Sequence, residues 1–177
     1  NQSISGRVSA IMIAFTIPAV LFGSVAGVFV DRWSTKAVLV VTNLVRGGLV
    51  LSIPVLLWMT QDWSAVGSLP TGFAILLVLS FLVSTLTQFF APAEQAAIPL
   101  IVERRHLLSA NSLYTTTMMA LVVVGFAVGE PLLAIADSLT MRFGSEIGKE
   151  LVVGGSYAIA GCLLMLLKTG EKNRETE

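Results

Sequence analysis

Long apolar segments alternate with short polar segments along this chain. Val8 to Val30 holds no charged residue over 23 positions. A helix needs about 20 apolar residues to cross the hydrocarbon core of a bilayer. The pattern recurs, and it predicts an all-α, polytopic membrane helix bundle in a single domain. The five predicted spans are about 8–30, 37–59, 72–91, 113–135 and 151–167, followed by a polar tail, 168–177.

Composition supports a membrane protein. The chain is 55% apolar and 12% charged, with a mean hydropathy of +0.84, whereas a soluble domain has about 25% charged residues. The lipid bilayer is therefore the first predicted partner. The net charge is zero, so no overall field attracts nucleic acid. The first span is longer than the roughly 7–15-residue core of a signal peptide, so we interpret it as a true span.

Polar and helix-breaking residues divide the spans. The hairpin from Asp31 to Lys36 is short, and its length predicts that the two helices it joins lie side by side. Two prolines, Pro92 and Pro99, predict the end of the third helix, with a short surface helix on the bilayer over residues 92–106. Residues 136–150 are predicted to form a polar connection.

Basic residues predict the orientation. Short cytoplasmic loops are enriched in Lys and Arg, so the hairpin and the tail are predicted to be cytoplasmic and the amino end external. One side carries Arg32, Lys36, Arg104, Arg105, Lys168, Lys172 and Arg174, and the other carries Arg7, Arg142 and Lys149.

Arg46 is the most informative polar residue inside a span. It lies nine residues into the second span, about 13 Å deep at 1.5 Å per residue. A charge there costs at least ~3 kcal/mol and normally faces a bundle interior or a water-filled cavity. Asn43 and Gly47 share its helical face. We predict a substrate or coupling-ion path along Asn43, Arg46, Gln88 and Glu130; the alternative is that Arg46 only staples two helices.

The third span carries a polar stripe that includes Gln88. The stripe either lines a path or satisfies contacts between helices, which is the more common use of such hydroxyl groups. Small residues elsewhere predict close helix packing. They are Gly23 with Gly27 in the first span, Gly125 and Gly129 with the helix breaker Pro131 in the fourth, and Gly154, Gly155 and Gly161 in the last.

An enzyme is not predicted. The single histidine, His106, stands beside two arginines and has no partner at the spacing of a nucleophile or a metal site. The single cysteine, Cys162, lies in an apolar run and is interpreted as a packing residue. No cofactor and no metal are predicted.

Three segments carry a resemblance to a known family. The pattern Gly27-x-x-x-Asp31-Arg32-x-Ser34-x-Lys36 resembles the signature loop between the second and third helices of major facilitator superfamily transporters. Ser34 replaces the usual glycine there, and Ala37 a final basic residue. The stretch 125–131 is similar to the glycine-proline element of the antiporter branch, with Phe126 in place of a common proline and Glu130 in place of a glycine. The run FFAPAEQAAIPLIVERRHLLSANSL and residues 43–47 resemble the bacterial enterobactin-exporter and macrolide-efflux-type branch.

The resemblance implies a fold and a function. The five spans become helices two to six of an incomplete N-terminal six-helix transporter half. The first helix and the C-terminal half of the same polypeptide would be the missing partners. The implied function is secondary active export of a small molecule, drug-like or a siderophore, by alternating access in the bacterial plasma (inner) membrane. The alternative is a non-transporting multispan module such as a channel or an assembly subunit.

The resemblance also implies a gating role for the hairpin. Gly27, Asp31, Arg32 and Lys36 would form a latch whose charges pair with a facing helix when the cytoplasmic side closes. The alternative is a basic turn that only sets the topology.

Overall fold

The computed structural model describes residues 2–63, 70–142, 144 and 147–169, and this part of the chain is all-helical. The all-α class is therefore confirmed. The helices are α1 (Gln2–Val30), α2 (Thr35–Met59), α3 (Thr71–Ile101), α4 (Leu107–Met141) and α5 (Gly148–Met165), with one 3₁₀ turn at Arg104–His106. Lys172, Arg174 and the rest of the predicted tail from residue 170 lie outside the described residues.

Four of these helices are long and apolar enough to cross a membrane: α1 from Gly6, α2, α3, and α4 together with its 3₁₀ turn. A multi-pass helical membrane bundle is therefore supported. The fifth predicted span corresponds to α5, which has 18 residues and is not among the four. The count of five spans stays a prediction.

The prediction that α3 ends at Pro92 was wrong. The helix continues through Pro92 and Pro99 to Ile101. A proline removes only one backbone hydrogen bond, and neighbouring helices compensate for it in membrane proteins. Ala93 and Ala97, one turn apart, are buried in a cluster with residues of α1 and α2. This packing explains how the helix persists across both prolines.

The prediction of a polar connection from residue 136 was also wrong in its first part, because α4 runs on to Met141. Ser138 and Thr140 turn their hydroxyl groups back to carbonyl oxygens of their own helix, Ile135 O at 2.8 Å and Asp137 O at 3.1 Å. The polar side chains that suggested a loop are thus accommodated on a helix.

The order of packing differs from the order along the chain. Helix α3 packs against both α1 and α2, and α5 packs against both α2 and α4. The expectation that α1 and α2 lie side by side was wrong, because α1 packs mainly against α3, and α2 packs mainly against α5 and α3. The hairpin brings only the end of α1, at Val30, and the start of α2, at Val38 and Leu39, into one cluster with α3.

Glycines bring α2 and α5 into close contact. A side-chain carbon built at Gly154 would lie 2.6 Å from Leu51 Cγ, and one at Gly161 would lie 2.7 Å from Leu44 Cδ2. A carbon at Gly47 would lie 3.0 Å from the backbone oxygen of Gly154. The predicted close contact is therefore confirmed for Gly154 and Gly161, whereas Gly155 has open space beside it.

Gly154→Ala is expected to destabilise the protein, because its methyl group would overlap Leu51. Overpacking of this kind costs about 1–3 kcal/mol, and 1 kcal/mol shifts Tm by roughly 2–4 °C in a chain of this size. The matched control is Gly155→Ala on the same helix, which should leave Tm unchanged in detergent micelles. Equal Tm values for the two variants would contradict this account of the α2–α5 contact.

The predicted orientation can be tested at two exposed positions, His106 before α4 and Gln61 after α2. In a Cys162→Ser background we expect Gln61→Cys to react quickly with a membrane-impermeant thiol reagent on intact cells. His106→Cys should react only after the cells are permeabilised. The reverse pattern would invert the topology.

Candidate functional site

The hairpin between α1 and α2 is a tight, hydrogen-bonded turn. The N–H of Asp31 donates to Gly27 O at 3.0 Å, and the N–H of Arg32 donates to Phe29 O at 3.1 Å. Ser34 caps α2 by accepting from the N–H of Ala37 at 3.4 Å. The turn thereby fixes the polar segment at the ends of two spans.

The charged residues of the hairpin are wholly or partly exposed. Asp31 and Arg32 are exposed and Lys36 is half-buried. No ion pair within the described ranges includes any of the three. Gly27 has open space beside it. The geometry leaves these charges available to a group outside the described residues, which a latch requires; the gating role itself stays a prediction.

Arg46 is buried inside the bundle, with 4% of its surface exposed. Its guanidinium carbon lies 4.4 Å from the ring centroid of Phe90 on α3 and 5.1 Å from that of Tyr157 on α5. Both distances are typical of cation–π contacts. Its Nε donates to the carbonyl oxygen of Thr42 at 3.2 Å. Arg46 therefore connects three helices.

One donor group of Arg46 is unsatisfied. Its Nη2 is buried and has no hydrogen-bond partner among the described residues. A buried donor without a partner costs roughly 1–3 kcal/mol, and more when it is charged. Arg46 could therefore bind an anionic group through this nitrogen.

Glu94 on α3 is a site residue that the sequence reasoning missed. It lies one turn beyond Phe90 on the same face of α3, and its carboxylate accepts a hydrogen bond from the Tyr114 hydroxyl on α4 at 3.0 Å. A signal was present, since Glu94 is the single charged residue of α3. It was overlooked because the helix was expected to end at Pro92.

Asn43 shares the buried face of Arg46, as predicted. Asn43 is 4% exposed, and Gly47 is buried next to α5. The Asn43 amide donates to the carbonyl oxygen of Leu39 on its own helix at 3.1 Å. The structure thus brings Asn43 and Arg46 together on one face of α2.

Gln88 lies at the contact between α3 and α1. Its amide donates to Ser84 O at 3.3 Å, and a side-chain carbon built at Gly23 on α1 would lie 3.9 Å from its Oε1. Ser84 in turn donates to the carbonyl oxygen of Phe15 on α1 at 2.9 Å. At these positions the polar stripe mediates helix contact, on a side of α3 different from that of Phe90.

Glu130 is exposed and lies apart from Arg46. It lines a groove of about 660 Å³ together with Gly125 and Gly129. At the same groove Asp137 forms an ion pair with Lys149 at 2.7 Å and accepts from the Lys149 backbone N–H at 3.0 Å. This carboxylate therefore holds the start of α5 against α4.

The predicted packing residues of α4 do not lie at a close helix contact in the part of the chain that the structure describes. Side-chain carbons at Gly125 and Gly129 would have nothing within 4 Å, and Pro131 is exposed. Of the four predicted path residues, the structure brings together Asn43 and Arg46, whereas Gln88 faces α1 and Glu130 faces the groove. Their roles stay predictions.

Comparison with protein-family models, curated proteins and solved structures gives no match. The resemblance to the major facilitator superfamily therefore rests on the residues of the hairpin and of the segments named above.

A double-mutant cycle tests whether Arg46 and Glu94 interact. Glu94→Gln removes the charge but keeps an acceptor for Tyr114, so we expect it to destabilise the wild type more than the Arg46→Met variant. The coupling should be about 0.5–3 kcal/mol, the range for residues that belong to one network of polar contacts. Denaturant midpoints of the four proteins in detergent micelles give the measurement.

Glu103→Gln is the matched control, because Glu103 is exposed and pairs with Arg105 at 2.7 Å. Its effect should add to that of Arg46→Met. Strict additivity for Glu94→Gln as well would show that the charges of Arg46 and Glu94 do not interact.

Proposed function

We propose that this chain is part of a secondary active transporter that exports a small molecule by alternating access in a bacterial plasma membrane. It would belong to an N-terminal half of the major facilitator type. Arg46 carries the proposal. A charged residue buried midway along an apolar helix is costly, and such residues usually mark a substrate or ion pathway.

The substrate proposed here is a drug-like compound or a siderophore with an anionic group. The unsatisfied Nη2 of Arg46 supports an anionic group, since a carboxylate or catecholate oxygen would complete its hydrogen bonding. Glu94, one turn beyond Phe90 on α3, would supply the carboxylate for which the guanidinium exchanges an anionic ligand between the two states. No metal or cofactor is needed for such exchange.

The hairpin supplies the second part of the proposal. Its exposed Asp31 and Arg32, together with Lys36, would pair with a facing helix when the cytoplasmic side closes, and would separate when the other side closes. Breaking and forming these pairs shifts the balance between two states without affecting insertion of the spans.

A non-transporting membrane module is the second candidate, and one observation favours it. The two aromatic rings around Arg46 belong to α3 and α5, so the arginine holds helices together whether or not a ligand binds. In that case the role of Arg46 is only structural: it holds three helices together.

Export by the complete polypeptide separates the two candidates. The protein is expressed in a bacterial host lacking its own multidrug and siderophore exporters, and efflux of a panel of such compounds is followed. We expect Arg46→Met to abolish export and Arg46→Lys to leave a remnant, because lysine keeps the charge but loses the planar fork. Asp31→Asn and Lys36→Ala should slow export at unchanged membrane abundance.

Membrane abundance and Tm are measured for every variant, so that loss of folding is distinguished from loss of transport. Arg105→Gln serves as the surface control and should export normally. Normal export by Arg46→Met would make Arg46 a staple, and unchanged rates in both hairpin variants would reduce the hairpin to a topology signal.

A further inference from the structure

An apolar groove opens between α2 and α3 beside the charged hairpin. Its volume is about 370 Å³. Trp33 of the hairpin, Val38 and Val41 of α2, and Leu86 and Phe89 of α3 line it. The hydroxyl group of Thr42, which also borders the groove, is occupied by a hydrogen bond to Val38 O at 2.6 Å. The groove therefore offers apolar contact, suited to a hydrocarbon chain.

Trp33 stands at the mouth of this groove. Its ring stacks on Phe89 at a centroid distance of 6.2 Å and lies 5.7 Å from Phe29, and 54% of the residue is exposed. Tryptophan is enriched at the boundary between lipid headgroups and hydrocarbon. The hairpin joins two spans, which places Trp33 at that boundary.

Two basic residues are adjacent in the chain to residues that line this groove. Arg32 precedes Trp33, and Lys36 precedes Ala37, which also lines the groove. Neither base forms an ion pair with the part of the chain that the structure describes. With Asp31 included, the hairpin keeps one net positive charge. Each base near a membrane surface favours an anionic lipid.

The groove continues inward from these charges. From Thr35, where α2 begins, to Val41 is six residues, which corresponds to about 9 Å along the helix. A ligand that fits both parts has a negatively charged head at the hairpin and a hydrocarbon tail along α2 and α3. In a membrane, that description applies to an anionic phospholipid.

We propose that an anionic phospholipid binds at this groove, with its phosphate at Arg32 and Lys36 and one acyl chain between α2 and α3 beneath Trp33. Zwitterionic lipid also contacts the groove, as any bilayer lipid does, but it does not bind there preferentially. It lacks the net negative charge that the two bases attract. The site does not depend on transport, since it needs only the bundle and the bilayer.

Tryptophan quenching by brominated lipids tests the proposal directly. A variant of the complete polypeptide that keeps Trp33 as its sole tryptophan is reconstituted in phosphatidylcholine vesicles. Acyl-brominated phosphatidylglycerol or acyl-brominated phosphatidylcholine is then added. We expect half-maximal quenching at a mole fraction of phosphatidylglycerol about fivefold or more below that of phosphatidylcholine, because each base contributes roughly fivefold.

Three controls locate the effect. Arg32→Gln with Lys36→Gln should remove the preference, whereas Arg104→Gln with Arg105→Gln should keep it. A variant that keeps Trp58 alone, at the opposite end of α2, should be quenched equally by both lipids.

Equal quenching of Trp33 by the two lipids, in protein that keeps both hairpin bases, would by itself overturn the proposal. Survival of the preference after loss of both hairpin bases, in protein of unchanged helicity, would also overturn it.

Discussion

The charge of Arg46 sets the arrangement of the helices at the centre of this bundle. An isolated guanidinium in an apolar interior is costly, and two neighbouring helices share in offsetting the cost. Helix α3 contributes the Phe90 ring, with Glu94 one turn further along the same face, and α5 contributes the Tyr157 ring. Tyr114 extends the cluster to α4 through its hydrogen bond to Glu94.

The glycine next to Arg46 makes this cluster possible. A side-chain carbon at Gly47 would lie 3.4 Å from the Cβ of Tyr157 and nearer still to the backbone of α5. Because position 47 has no side chain, α5 approaches α2 closely enough for the Tyr157 ring to reach Arg46. The buried charge and the close helix contact are therefore one structural feature.

The position of α3 explains how the surface of the bundle is arranged near the hairpin. Since α3 packs against both α1 and α2, the first two helices meet only where the turn joins them, around Val30 and Val38. The stacked Trp33 and Phe89 rings border the space that remains. A charged turn thus adjoins an apolar groove on the outer surface of the bundle.

The sequence by itself determined the class of the protein and the location of its polar exceptions. Uncharged runs the length of a bilayer predict membrane helices, because every backbone polar group in lipid must be satisfied within the helix. The spacing of Asn43, Arg46 and Gly47 predicted one buried face of α2, since helical geometry is local. The same reasoning failed at Pro92, where packing of Ala93 and Ala97 outweighs the lost hydrogen bond.

Tertiary structure alone decided which helices are neighbours and which residues meet. That α3 separates α1 from α2 depends on side-chain complementarity between segments far apart in the chain, and no local pattern encodes it. For the same reason the sequence did not link Glu94 to Arg46, or distinguish Gln88, which faces α1, from Asn43. Periodicity assigns a residue to a face of its own helix; only packing between helices assigns a partner to that face.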